Sequence, residues 1–291
     1  MRFEKWQALG NDYVIIEAKD LPWELKAERV RRICEPHLGV GSDGILLLSD
    51  PSDSEHVADL RIFNPDGSEA ELSGNGAREA VLYLRRAGWT DADRFTIGTA
   101  AGPITPEILD DRTCALEMGS AATTSKDFPG GSEDGQGELE DGGRTWRFQH
   151  VSIGNPQCAI AVDGEDLERL DLGVIGPGIE SHELFPNRTN VSFFRTEADD
   201  DGTRIRARIF ERGVGETLAS GTGACGAAVA AVLAGARSPV TVELDGGELT
   251  VEVGDDLEVR LTGWAEPVYA GELSRELVAA LGDARSADRR R

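Results

Sequence analysis

The stretch RIFNPDGSEAELSGNGA, residues 61–77, returns 147 positions later as RIFERGVGETLASGTGA, residues 208–224. Eight of the seventeen positions are identical: Arg61/Arg208, Ile62/Ile209, Phe63/Phe210, Glu69/Glu216, Ser73/Ser220, Gly74/Gly221, Gly76/Gly223 and Ala77/Ala224. The correspondence continues upstream, where Gly10-Asn11 answers Gly154-Asn155 at an offset of 144. Downstream, Thr96, Gly102 and Thr105 answer Thr241, Gly247 and Thr250 at 145. Two unrelated glycine-rich turns would not hold so nearly constant a spacing over that length. A duplication with a period of about 145 residues predicts two copies of one folding unit. Chain length agrees, since 291 residues exceed what one hydrophobic core usually covers.

Local patterns inside each copy match. Short apolar runs at 13–16 and 159–162 follow the Gly-Asn turns and read as strands, as do 44–48, 190–194, 60–63 and 205–210. After each SGxGA comes an Ala- and Leu-rich helical stretch, 78–87 and 225–234, closed by Gly88 and Gly235. Strand pairs are expected around Pro103 and around Gly246-Gly247. Residues 21–37 read as a further helix with Pro22 in its first turn. The expected class is α+β: two pseudo-symmetric domains, each a mixed or antiparallel sheet wrapped round a central helix that opens at SGxG, with an active-site cleft between them. The expected boundaries are 1–122, completed by 266–282, and 148–265. The segment 123–147, with PGGSEDGQGELEDGG at its heart, has no apolar period and reads as an acidic, Gly-rich loop between domains. Residues 283–291, with four arginines, read as a flexible tail.

Composition narrows the partners. Thirty basic residues against 53 acidic ones leave a net charge of −23, which disfavours nucleic acid and anionic membrane surfaces. Only 4 of the 30 basic residues are lysine, a bias consistent with coding preference or with a salty cytoplasm that screens self-repulsion. The four cysteines, Cys34, Cys114, Cys158 and Cys225, form no CxxC pair and are expected in the core, Cys225 included. His37, His56, His150 and His182 show no metal-ligand spacing, so no metal is expected. The start carries no secretory pattern, and the longest nearly apolar stretch, 224–236, is too short to span a bilayer; a cytoplasmic location is expected.

A glycine-rich turn feeding a helix presents unpaired N–H groups and the positive end of the helix dipole, a ready seat for a carboxylate. Here the turn occurs twice, each time behind a hydroxyl residue, Ser73 or Ser220. One acid/base group offered to each face of a single carbon is the requirement of stereoinversion. Plain N-capping would equally explain both serines.

The motifs LGND (9–12), GSDG (41–44), IFNPDGSEAELSGNGAR (62–78), GNPQ (154–157), NRTN (187–190) and ERGVGETLASGTGAC (211–225) closely resemble the diaminopimelate epimerase family, over residues 3 to 266. The resemblance implies a cofactor-independent isomerase, free of pyridoxal phosphate, that interconverts LL- and meso-diaminopimelate in lysine biosynthesis, often as a homodimer. It places Asn11, Asn64, Asn155 and Asn190 on the substrate's amino and carboxylate groups. Gly74-Asn75 and Gly221-Thr222 would offer N–H groups to the reacting carboxylate, and Glu211-Arg212 would hold substrate charge. Ser73 and Ser220 stand where the family has its catalytic cysteines, and Gln157 where it usually has a histidine; with Glu211 these are the candidate catalytic residues. An alcohol is a far weaker acid than a thiol, whose ordinary pKa is about 8.5. Three readings follow: an epimerase in which Glu211 and water assist the serines, a paralogue that binds an amino acid with lost or altered chemistry, or a deliberate double replacement. Gln157 speaks against the last.

Overall fold

The computed structural model describes residues 1–162, 164–198 and 203–283, so the expected tail beyond Asp283 lies outside the described residues. The chain divides into two compact units, 1–116 with 264–291, and 117–263.

In chain order the first unit holds β1 (Arg2–Ala8), β2 (Asn11–Glu17), α1 (Ala27–Cys34), β3 (Ile45–Ser49), β4 (His56–Phe63), β5 (Glu69–Ala70), α2 (Gly74–Arg86), β6 (Thr96–Gly98) and β7 (Glu107–Ile108). Strand β8 (Thr113–Ser120) carries the chain into the second unit. That unit holds β9 (Gln136–Asp141), β10 (Arg144–Ser152), β11 (Pro156–Ala161), α3 (Leu172–Glu180), β12 (Asn190–Ala198), β13 (Thr203–Glu211), β14 (Gly215–Thr217), α4 (Gly221–Leu233), β15 (Val240–Leu244), β16 (Gly247–Val253) and β17 (Glu258–Trp264). The last described elements are β18 (Glu266–Glu272), which returns to pair with β1, and α5 (Arg275–Gly282).

Strand pairing repeats element for element. In the first unit β2 and β3 pair parallel, β3 and β4 antiparallel, β4 and β5 antiparallel, and β4 and β6 parallel. In the second, β11 with β12, β12 with β13, β13 with β14 and β13 with β15 follow the same sequence of directions. Each parallel pair is bridged by a helix, α1 and α2 in the first unit and α3 and α4 in the second, as parallel neighbours require. The sheet orders are β18-β1-β2-β3-β4-β5, with β6 on β4, and β7-β8-β17-β16-β15-β13-β12-β11-β10-β9, with β14 on β13.

Several of the identical residues are explained by structure alone. Arg61 grips Glu69 through Nε and Nη2, each at 2.8 Å, and Arg208 grips Glu216 at 3.0 and 2.6 Å. The same ion pair thus ties β4 to β5 and β13 to β14. The Gly-Asn turns need glycine because Gly10 and Gly154 sit at φ 83° and 81°, in the left-handed region. Helix α4 is buried from Gly223 to Ala231, and its small side chains let strands approach on every side. Helix α2 is likewise buried from Asn75 to Leu84 and packs on β1, β2 and β3.

Three expectations are corrected. The helix expected over 21–37 covers only Ala27–Cys34. Proline disfavours helical geometry at the residue before it, and Leu21 ahead of Pro22 and Glu35 ahead of Pro36 are both extended. Between them Trp23 is held by α5, its Nε1 donating to the Val278 carbonyl at 3.2 Å. The expected loop over 123–147 contains β9 and the start of β10, a hairpin inside the second unit. Its Gly142-Gly143 pair, at φ 60° and 75°, is a tight hairpin turn, and Gly137 makes room for the Phe148 ring across the pair. Around Pro103 the pairing is reduced to two isolated antiparallel bridges, Ile97 to Ile104 and Arg94 to Glu107, because Pro103 and Pro106 lack the N–H groups a ladder needs.

One buried group in α2 is a liability. Glu79 is 0% exposed, and burial holds its carboxyl well above the usual carboxylate range; Arg78 opposes this, while Asp12 and Asp43 add to it. A carboxyl raised in the folded state costs nothing below its unfolded value of 4.5, and the cost grows as pH rises from there toward the folded value. Glu79→Gln is therefore expected to raise Tm near pH 7, by about 2–4 °C for each kcal/mol recovered, and to leave it unchanged near pH 4. An equal gain at both pH values in a thermal melt would rule ionisation out as the cause.

Candidate active site

In the first unit Ser73 is the N-cap of α2, extended at φ −131° and ψ 124°, with its Oγ accepting the Gly76 N–H at 3.1 Å. The Ala77 N–H goes to the Ser73 carbonyl. The N–H groups of Gly74 and Asn75 lead the helix, where ligand contact is natural. Tyr13, on β2, donates its Oη hydrogen to Ser73 Oγ at 3.2 Å. A relay of amides and charges braces the turn: Arg78 Nη2 donates to Asn75 Oδ1 at 2.6 Å, Asn75 Nδ2 to Asn11 Oδ1 at 3.3 Å, and Asn11 Nδ2 to Asp43 Oδ2 at 2.8 Å. Gly76 is glycine for space, since a Cβ there would lie 3.0 Å from Leu46 Cδ2.

In the second unit Ser220 caps α4 at φ −139° and ψ 122°, and its Oγ accepts the Gly223 N–H at 3.3 Å. Its own hydrogen goes to Glu211 Oε2 at 3.0 Å. The other oxygen of Glu211 accepts from Thr217 Oγ1 at 2.8 Å. Asn155 Nδ2 donates to Thr222 Oγ1 at 3.2 Å, matching the Asn75–Asn11 bond of the first unit. Gln157 is fully buried; its Nε2 donates to Asn155 Oδ1 at 2.7 Å, and its stem lies against Gly226 of α4.

The remaining expected ligands are placed as follows. Asn64 sits in a turn, its Nδ2 donating to Ser68 Oγ at 2.9 Å. Asn190 braces backbone on both sides: Nδ2 to the Pro156 carbonyl at 3.2 Å, and Oδ1 from the Arg212 N–H at 2.9 Å. Arg212 is exposed, with Nη1 donating to the Asn187 carbonyl at 3.0 Å. His150 is fully buried, paired with Ser125 Oγ at 2.9 Å and set against the Phe128 ring. All four cysteines are buried. One residue of the site, Tyr13, lies outside every quoted motif, and Thr217 lies inside the 211–225 motif with no role assigned to it there. Tyr13 was findable, because the 144-residue offset aligns it with Gln157.

The arrangement offers two helix starts fit for carboxylates, each headed by a hydroxyl, and one of the hydroxyls is backed by a carboxylate. Among the described residues no group of three or more His, Cys, Asp or Glu side chains is placed to hold a metal ion, and no helix is long and apolar enough to cross a membrane.

The sequence model of diaminopimelate epimerase matches residues 3–124 and 149–268. The chain belongs to the diaminopimelate epimerase family. A protein named diaminopimelate epimerase from Pelotomaculum thermopropionicum is 41% identical over 283 residues, covering 94% of this chain and 98% of that protein. Another, diaminopimelate epimerase 2 from Nostoc, is 40% identical over 96% of this chain and 98% of its own length. Among solved structures, a phenazine biosynthesis protein of the PhzF family from Bacillus anthracis superposes with a TM-score of 0.67 at 21% identity, covering 94% of this chain and 99% of its own. A hydroxyproline epimerase from Agrobacterium vitis superposes with a TM-score of 0.63 at 16% identity, covering 94% and 90%. These structures share the diaminopimelate epimerase fold with this chain, which is by kinship an isomerase of the racemase and epimerase type.

Proposed function

We propose that the protein converts LL-diaminopimelate to meso-diaminopimelate in lysine biosynthesis, by two-base proton transfer at Cα, with Ser73 and Ser220 as the two acid/base groups. The observation that carries this reading is the Ser220 Oγ to Glu211 Oε2 hydrogen bond. A serine alone is too weak an acid and its alkoxide too costly. A serine whose proton passes to a carboxylate as it takes up another needs no free alkoxide, and such general base assistance is worth roughly 10² to 10⁴-fold. The helix-leading N–H groups of Gly74-Asn75 and Gly221-Thr222 receive the α-carboxylate, on which charge grows as the Cα proton leaves. Arg212 suits the distal carboxylate, and Asn11, Asn64, Asn155 and Asn190 complete the polar contacts.

Incubation with LL-diaminopimelate in D₂O tests it, with the Cα resonances followed by NMR. Deuterium at Cα together with meso isomer, above a protein-free control, is the expected result. Calorimetric binding with no exchange would instead make the protein an amino-acid binder without epimerase chemistry.

A further inference from the structure

The two serines are wired in opposite senses. Ser220 gives its hydrogen to Glu211 and accepts one N–H, so one lone pair remains for an incoming proton. Ser73 accepts twice, from the Gly76 N–H at 3.1 Å and from the Tyr13 hydroxyl at 3.2 Å, which fills its lone pairs and leaves its own hydrogen to give. The Tyr13 side chain is fixed in this position: it is 6% exposed, and its ring lies over Gly44, where a Cβ would come within 2.6 Å of Cε1. Ser73 thus has the phenol as its side-chain partner, a donor, where Ser220 has the Glu211 carboxylate, an acceptor.

Building on the epimerase reading, we propose that Tyr13 is the proton source behind Ser73, so that the resting protein removes the Cα proton through Ser220 and Glu211 and returns one through Ser73 and Tyr13. The Cα–H bond breaks as its proton goes to Ser220 Oγ, whose own proton passes to Glu211. The electron pair left on Cα forms the new C–H bond with the Ser73 proton, and the Tyr13 O–H bond breaks to restore Ser73. One proton has then moved from Tyr13 to Glu211. Water resets the pair, protonating the phenolate and deprotonating the carboxylic acid. Tyr13 acts through Ser73 and is a positioning and proton-supplying residue.

The test joins an activity measurement with one that needs no activity. In D₂O, Tyr13→Phe should cut inversion by about 10²-fold or more. Starting from one of the two isomers, it should leave deuterium exchange with retained configuration in place. The same substitution should matter far less in a Ser73→Cys background, because a thiol gives up its proton unaided. Independently, the thiol introduced by Ser73→Cys should be alkylated by iodoacetamide about tenfold more slowly when Tyr13→Phe is added, since a hydrogen bond to the thiolate is lost. The four buried native cysteines leave this thiol as the reactive one. Unchanged inversion in Tyr13→Phe, or unchanged alkylation, would overturn the role of Tyr13 while leaving the epimerase reading intact. A wild-type protein with no exchange from either isomer would defeat the epimerase reading, and the alkylation rates would still decide whether the phenol serves position 73.

Discussion

Glu211→Gln is expected to lower Cα–H exchange by about 10² to 10⁴-fold, or about 2.7 to 5.5 kcal/mol of barrier, while diaminopimelate still binds. The amide is nearly isosteric with the carboxylate, and its oxygen can still accept from Thr217, now 2.8 Å from Glu211 Oε1. Its nitrogen would then face Ser220 Oγ, at the 3.0 Å that Oε2 occupies in the wild type. An amide N–H donates where the carboxylate accepted, so the bond reverses. Ser220 loses the group that takes its proton, and the lone pair left for the substrate's hydrogen is filled by the new donor. Binding persists because the helix-leading N–H groups are untouched. Isothermal calorimetry and NMR exchange on the same variant separate the two effects. Exchange at the wild-type rate would remove Glu211 from the proton path.

How far the sequence alone carries depends on which residues make the structure. The duplication was legible because the fold reuses the same devices in both copies. These are a left-handed glycine in the Gly-Asn turn, a cross-strand Arg–Glu pair, and a capping serine ahead of small residues that must fit beneath a strand. The hairpin of β9 and β10 escaped because its composition imitates a linker: Leu139 is its one buried residue before the turn, and the aromatic side chains that anchor it, Trp146 and Phe148, follow the glycines. The apolar residues Leu21 and Leu25 extend a helical pattern ahead of α1, whereas the two prolines set the backbone. Within the candidate site, the repeat marks Ser73 and Ser220, and the family resemblance adds Asn11, Asn75, Asn155, Gln157, Glu211 and Thr222; hydrogen bonds join Asn75 to Asn11, Asn155 to Gln157 and Thr222, and Glu211 to Ser220. Tyr13 lies outside every motif, and Asp43 and Thr217, though inside GSDG and the 211–225 motif, meet their partners only through strand neighbours and turns.

The remaining large effect is a gain. Ser73→Cys, Ser220→Cys and Gln157→His, combined, are expected to raise epimerase turnover by about 10² to 10⁴-fold for each face relieved of its alcohol. A thiol with an ordinary pKa of about 8.5 is brought lower by a helix N-terminus, and both serine positions are N-caps whose Oγ already accepts from the first turn. Sulfur at those positions would meet the same N–H groups, of Gly76 and Gly223, which favour its thiolate. Position 157 is prepared for a ring: the glutamine is fully buried, it reaches Asn155 at 2.7 Å, and Gly226 opposite leaves the space a side chain would otherwise fill. Imidazole there would add a base near neutral pH where the amide has none. The double cysteine variant should therefore gain less than the triple, and Gln157→His alone should gain little, since it lacks a thiol to activate. Initial rates of meso isomer formation from LL-diaminopimelate, measured for the wild type and all three variants, give the ordering. A triple variant no faster than wild type would mean that substrate contacts, and not the acid/base groups alone, have diverged from those an epimerase needs.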